Sequence, residues 1–386
     1  MTFQSTRGLA ITPGVPRSVH LTTIDLPDLG PSDVRIRSRL VGICGTDREL
    51  AEGVFGSAPP GETELVLGHE LLGEIEEVGP GVTGLAVGEL VTATVRRGCG
   101  CRPCAAGAPD FCETFRYTER GIRGRHGFLT ERLVEAADNV VLVPTALGDI
   151  GVLIEPLTCG EKAWRVALAT QSRIATWEAR TAVVYGAGPI GLLQTLMLRA
   201  RGVEVYTLAR TPAPNRAAEI VERAGATYIS TRERPPESLK EEIANVDLLV
   251  ECTGSAEAVE KVLWLVGTNG VLVLLSGTGR TVMAEIPISR LNSQFVGGNK
   301  TMAGSVNSSR DDFRAAIADL ERFEELWPGL AGSLITKRIA GLDGAVDFLE
   351  STKGDIKAVV EVQPALTTTR TGCCGAGSGA GSGRCR

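Results

Sequence analysis

Residues 181–191 read Thr181-Ala182-Val183-Val184-Tyr185-Gly186-Ala187-Gly188-Pro189-Ile190-Gly191. An apolar strand, Ala182–Tyr185, runs into a glycine-rich loop, and the loop runs into a helical pattern over Pro189–Arg201. Gly186 allows a tight turn there. Gly188 lets the backbone come close to a pyrophosphate, and Gly191 lets helix and strand pack closely. Pro189 and Ile190 open a helix whose free N–H groups and dipole face the phosphates. A lone G-x-G-x-x-G is weak evidence. Strand, loop, helix and a second strand (Val203–Leu208) in that order make it a dinucleotide site.

The pattern continues downstream. Arg216–Ala224 and Ala256–Leu265 read as helices, and Asp247–Val250 and Val271–Leu275 as strands. Strand–helix alternation implies a parallel sheet with helices on both faces. The second strand also chooses the cofactor. An NAD site wants a carboxylate at its end, for the ribose 2′-OH. Here the strand ends in Ala209-Arg210-Thr211. Arg210 suits a 2′-phosphate and Thr211 can donate to the same group. NADP is therefore preferred and NAD remains possible. The alternative for Arg210 is a solvated surface charge.

Upstream, to about Pro156, the chain reads as short strands broken by Gly and Pro, among them Val34–Ser38, Glu74–Val78 and Leu90–Val95. Past Gly304 come two helices, Asp311–Phe323 and Leu342–Glu350, and a strand, Ala358–Val362. The tail from about Thr367 to Arg386 is Gly, Ser, Thr and Arg with Cys373, Cys374 and Cys385, and reads as disordered. The 386 residues allow two domains. A net charge of -6 gives no basic face for nucleic acid. No apolar run reaches the roughly 20 residues of a membrane span. Met1 to Gly14 has no secretory pattern, so a reducing cytoplasm is expected.

Two groups of residues suit metal ions. Cys99, Cys101, Cys104 and Cys112 are clustered as for a closed, tetrahedral zinc site. The alternative is free thiols in a reduced loop. The second group is dispersed: Cys44, His69 with Glu70, and Glu155. A thiolate, an imidazole and a carboxylate with one open position make a catalytic zinc site. Singly, Cys44 reads as a core thiol, His69 as a satisfied core histidine and Glu70 as a solvated strand residue. The combination carries the metal reading.

At these residues the chain resembles the zinc-containing medium-chain dehydrogenases, and more narrowly their glucose 1-dehydrogenase branch. Beyond the zinc and cofactor motifs, Glu119-Arg120-Gly121-Ile122, His126-Gly127-Phe128, Glu161-Lys162-Ala163 and Gly304-Ser305-Val306-Asn307 carry the likeness. It implies an α/β protein: a GroES-like, β-rich catalytic domain (1–157, with a structural-zinc lobe near 96–116), a Rossmann doubly wound domain (158–302), and a C-terminal completion of the first (303–366). It implies Cys44, His69 and Glu155 around the catalytic zinc, with Glu70 as an alternating or water-linked ligand. Thr46 would pass the substrate proton outward. Glu119 and Asn307 would bind sugar hydroxyls, and Asn307 would also touch the cofactor. For Glu119 the alternative is a salt bridge to Arg120, Arg123 or Arg125. Cys159 stands where some sugar-specific relatives carry Asp, and only Gly100 separates Cys99 from Cys101, one residue fewer than usual.

The expected activity is oxidation of an aldose at C1 to its lactone, with hydride passing to NADP or NAD. Rival readings on the same fold are a polyol, aminocyclitol or secondary-alcohol dehydrogenase and, more remotely, a non-catalytic nucleotide-binding protein. A homodimer or homotetramer is expected from the resemblance.

Overall fold

The computed structural model describes residues 5–277, 282–350 and 355–363. The tail with Cys373, Cys374 and Cys385 lies outside the described residues.

In the nucleotide-binding half, Thr181–Tyr185 lies between Glu204–Ala209 and Leu248–Glu251, all parallel. Thr227–Ser230 extends one side, and Val271–Leu274 and Thr301–Gly304 extend the other. Taken from Thr227–Ser230, the order across the sheet is third, second, first, fourth, fifth, sixth along the chain. This is the doubly wound order, with its crevice where the winding reverses. Val183, Val184, Leu249, Val250, Leu272 and Val273 are fully buried, as strands covered on both faces must be. The two strands that the sequence reading did not find are four residues each; one starts exposed and ends buried, and the other has no buried position. Neither is long enough to show a period.

In the other half, Asp33–Ile43 is the central strand. It pairs antiparallel with Glu70–Val78 on one side and with Lys357–Glu361 on the other. The end of the chain therefore returns to the first sheet. Ala358 lies opposite Ile43, which sets Lys357 beside Cys44.

Two boundaries expected from the sequence fall inside single elements. The helix Ile154–Gln171 runs through 157–158, and Thr301–Gly304 runs through 302–303. Pro156 is tolerated because it lies in the helix's first turn. Further along, Leu157, Ala163 and Ala167 share one core with Leu192, Leu193 and Leu196 of the helix Pro189–Ala200.

A buried acid pair sits in this joint. Arg201 Nη2 donates to Glu161 Oε1 at 2.8 Å and to Asp319 Oδ2 at 2.8 Å, tying three helices together. Burial, and then the hydrogen bond that protonated Glu161 donates to Asp319, push the Glu161 carboxyl up to about 8, against the pull of Arg201. The folded protein thus binds a proton more tightly than the unfolded chain. Its contribution is complete below about pH 4.5 and is lost as pH rises through about 8. Glu161→Gln should flatten the fall of unfolding free energy between pH 5 and 8. An unchanged slope in denaturant titrations would remove this account.

Candidate active site

Cys44 begins the site by capping a helix. It is the N-cap of Gly45–Ala51, with extended backbone at φ -123. Its sulfur accepts the Thr46 N–H at 3.2 Å, and Asp47 Oδ2 accepts the Cys44 N–H at 2.9 Å. The Cys-x-x-Asp spacing is therefore a capping box. Asp47 Oδ1 accepts the Gly68 N–H at 3.3 Å and lies 3.6 Å from His69 Nδ1. A carboxylate behind the ring fixes its orientation. The opposite nitrogen, Nε2, then faces Cys44 Sγ at 3.1 Å.

Glu70 follows His69 in the strand and is buried. Gly42 makes room for it: a Cβ on Gly42 would come within 1.8 Å of Glu70 Oε2. Lys357, itself buried, pairs with Glu70 and donates to the Ile43 carbonyl at 3.3 Å. Glu155 comes from the first turn of Ile154–Gln171. Donor atoms of His69, Glu70 and Glu155 lie within 4.8 Å of one another, and so do those of Cys44, Asp47 and His69.

Several acidic groups crowd around the Lys357 ammonium and the His69 ring. Burial pushes the Glu155 carboxyl up to about 7, with His69 opposing and Glu70 reinforcing. Burial also raises the Cys44 thiol. Burial disfavours the charged His69 ring, but Cys44 and Asp47 outweigh it and hold the ring well above its ordinary range. Acids driven toward neutrality around one point are relieved by a divalent cation. A thiol, an imidazole and carboxylates are a donor set that fits zinc.

The four-cysteine lobe is also assembled. Sulfur–sulfur distances are 3.4 Å for Cys101–Cys104, 3.6 Å for Cys99–Cys112 and 3.7 Å for Cys101–Cys112. The short spacing before Cys101 is absorbed at Gly100, whose φ of +85 bends the chain back. Cys99 joins the cluster despite the missing residue.

Glu119 and Asn307 meet. Asn307 Nδ2 donates to Glu119 Oε1 at 3.1 Å across 188 residues, from a residue at φ +59. Glu119 does not pair with Arg120, Arg123 or Arg125. Its partner is Arg96, opposite it on the neighbouring strand, with Nε 3.0 Å from Oε1. Adjacent strand residues face opposite ways, and Arg120 points to Glu135, 2.9 Å away. This strand is held against the loop before His69, since a Cβ on Gly121 would come within 2.3 Å of the Gly68 carbonyl.

The glycine loop opens on a cleft of about 790 Å³, lined by Gly186, Gly188, Arg210 and Thr211 among others. Gly186 has φ +121, and a Cβ on Gly191 would come within 1.9 Å of the Gly186 carbonyl. No atom lies within 4 Å of where a Cβ on Gly188 would stand. That open side, at the N-cap of Pro189–Ala200, fits a pyrophosphate on backbone N–H groups.

Comparison with known proteins agrees with this arrangement. Residues 30–145 match the family model for the alcohol dehydrogenase GroES-like domain. Residues 148–362 match that for the glucose dehydrogenase C-terminus. The chain belongs to the glucose dehydrogenase family. A glucose 1-dehydrogenase of Methanocella arvoryzae is 38% identical over 92% of this chain and 99% of its own. One of Metallosphaera sedula is 38% identical over 89% of this chain and 95% of its own. Among solved structures, Haloferax mediterranei glucose dehydrogenase in complex with NADP, Zn and gluconolactone has a TM-score of 0.82. It is 30% identical and covers 92% of this chain and 99% of its own. The family's two-domain architecture, GroES-like with a Rossmann sheet, is the one seen here. No helix among the described residues is long and apolar enough to cross a membrane.

Several residues of this glucose dehydrogenase-family site escaped the sequence reading. Asp47 had a signal, its capping-box spacing from Cys44. Lys357 and Arg96 had none, because their partners are reached only through sheet pairing.

Proposed function

We propose that this chain is a zinc-dependent glucose 1-dehydrogenase, oxidising an aldose at C1 to the lactone with NADP+ preferred as hydride acceptor. The observation that carries the reading is the convergence on His69 of Cys44 on one side and of Glu70 and Glu155 on the other, from three separate segments. The Methanocella and Haloferax relatives supply its narrower form, glucose with NADP.

Cys44, His69 and Glu155 hold the catalytic zinc in this reading, and Glu70, anchored by Lys357, stands by as an alternating or water-linked ligand. Bound zinc supplies Lewis-acid polarisation of the substrate hydroxyl. Thr46, in the helix turn after Cys44, takes the hydroxyl proton outward. Glu119 and Asn307 bind the other sugar hydroxyls, and Arg96 fixes Glu119 for the task. Polar groups paired this way reject sugars lacking the matching hydroxyl. Gly186, Gly188, Pro189, Ile190 and Gly191 receive the pyrophosphate, and Arg210 with Thr211 the 2′-phosphate. Cys99, Cys101, Cys104 and Cys112 hold the structural zinc.

The assembly we infer is a homodimer or homotetramer. Its support is an apolar surface on the nucleotide-binding half. The helix Ile288–Gly297 has no buried residue, Ile288 and Val296 are 71% and 72% exposed, and Met302 lies on the open edge strand. A monomer in sedimentation would discard that assembly. The cytoplasm is the compartment we infer, and the seven described cysteines, all unbridged, suit its reducing conditions.

The deciding experiment is a panel of D-glucose, D-galactose, D-xylose, sorbitol and myo-inositol, each with NADP+ and NAD+. Lactone formation from glucose with NADP+ is the expected result. Turnover of polyols with no aldose turned over would replace the reading with a polyol dehydrogenase.

A further inference from the structure

Building on the reading of NADP as cofactor, we propose that Arg232 acts with Arg210 as a two-guanidinium clamp on the 2′-phosphate of the adenosine ribose. The pair then sets the choice of NADP over NAD.

The two residues come from neighbouring parallel strands. Ala209 pairs with Ser230 at the last position of each. Beyond that, the Thr231 N–H donates to the Ala209 carbonyl at 2.8 Å, and the Ser230 hydroxyl donates to the Arg210 carbonyl at 3.3 Å. Arg210 and Arg232 therefore leave the same edge of the sheet, where ligands of such folds bind. Both line the cleft that also contains Gly186 and Gly188.

Their neighbours are occupied elsewhere. Arg216 donates to the Ser333 carbonyl at 3.3 Å, and Arg234 pairs with Glu242. Among the described residues, Arg210 and Arg232 show no ion pair or side-chain hydrogen bond, and both are exposed to the cleft. Two guanidinium groups at one sheet edge with no carboxylate partner suit an anion between them. A phosphate monoester carries up to two charges and presents several oxygens to planar forks. The backbone of this corner is already fixed. The Tyr228 hydroxyl donates to the Thr211 carbonyl at 2.7 Å, and Asn215 Nδ2 donates to the Tyr228 hydroxyl at 3.2 Å. No side chain has to rebuild the loop when the ligand arrives.

The test needs no sugar and no turnover. Calorimetric titration with 2′,5′-ADP and with 5′-AMP compares two ligands that differ by one phosphate. The unaltered protein should bind 2′,5′-ADP far more tightly. Arg232→Ala and Arg210→Ala should each weaken 2′,5′-ADP by about tenfold or more and leave 5′-AMP within about twofold. Equal losses for both ligands with Arg232→Ala, or no loss, would overturn the clamp. Lys261→Ala removes another cation of the same cleft, one that shows no ion pair or side-chain hydrogen bond among the described residues. A selective loss as large as that of Arg232→Ala would assign the effect to general positive charge and also overturn it. Equal binding of the two ligands by the unaltered protein would instead defeat the NADP reading itself. Failure of the glucose reading appears only in the sugar panel.

Discussion

Cys44→Ser should lower kcat/KM for D-glucose by about a thousandfold or more, with the protein still folded. The thiolate is the metal-binding form of cysteine, and a serine hydroxyl does not ionise in its place at neutral pH. Cys44 Sγ is 3.1 Å from His69 Nε2, so its loss opens one side of the donor set. Metal polarisation of the substrate is worth several kcal/mol, and each 1.36 kcal/mol is about tenfold in rate. Zinc content should fall from about two ions per chain to about one, because the four-cysteine lobe is untouched. Binding of 2′,5′-ADP reports on the nucleotide-binding half and should not change. A variant that keeps both its activity and its metal would remove Cys44 from the site.

Lys357→Met should have the largest effect on stability. Lys357 and Glu70 form a buried ion pair, with both side chains at most 2% exposed. Removing the cation strands a carboxylate away from water, at a cost of about 3–5 kcal/mol. The Ile43 carbonyl also loses a donor. Chelated protein should lose more than metal-loaded protein, since a bound divalent ion still offsets the Glu70 charge. Adding Glu70→Leu to Lys357→Met should return much of the loss, because a pair replaced by apolar groups leaves no uncompensated charge. Thermal unfolding with and without chelator measures all of this. A midpoint that moves by less than about one degree in Lys357→Met would show the pair to be unimportant.

Both predictions mark how far the amino-acid order could be read. The turn at Gly186 and the helix from Pro189 are local, since strand, turn and helix follow each other within a few residues. Cys44, His69 and Glu155 were identifiable by chemical type, because few residue types bind zinc and His69 is one of only three histidines. That they share one place needed the coordinates. Lys357 reads as the polar start of an apolar strand, and only its return beside Asp33–Ile43 brings it 287 residues back to Glu70. Glu119 has three arginines within the next six residues, yet it pairs with the one across the ladder. Strand geometry, not nearness along the chain, decides that contact. Arg232 escaped for the same reason: it follows a strand that neighbours the one just before Arg210, but no spacing rule links the two.

The helix Ile154–Gln171 has a mechanical consequence. It is a rod packed into a core that Leu40 and Leu72 share with Leu192, Leu193 and Leu196 of the nucleotide-binding half, and it carries a carboxylate at its tip. Cys44 and His69 are anchored in the other half. If the halves rotate about their joint, a swing of the rod would shift Glu155 relative to the thiolate and the ring. Glu70, next to His69 in the same strand, stays behind. In the proposed site, opening the cleft would then be coupled to a rearrangement of the ligands around the metal.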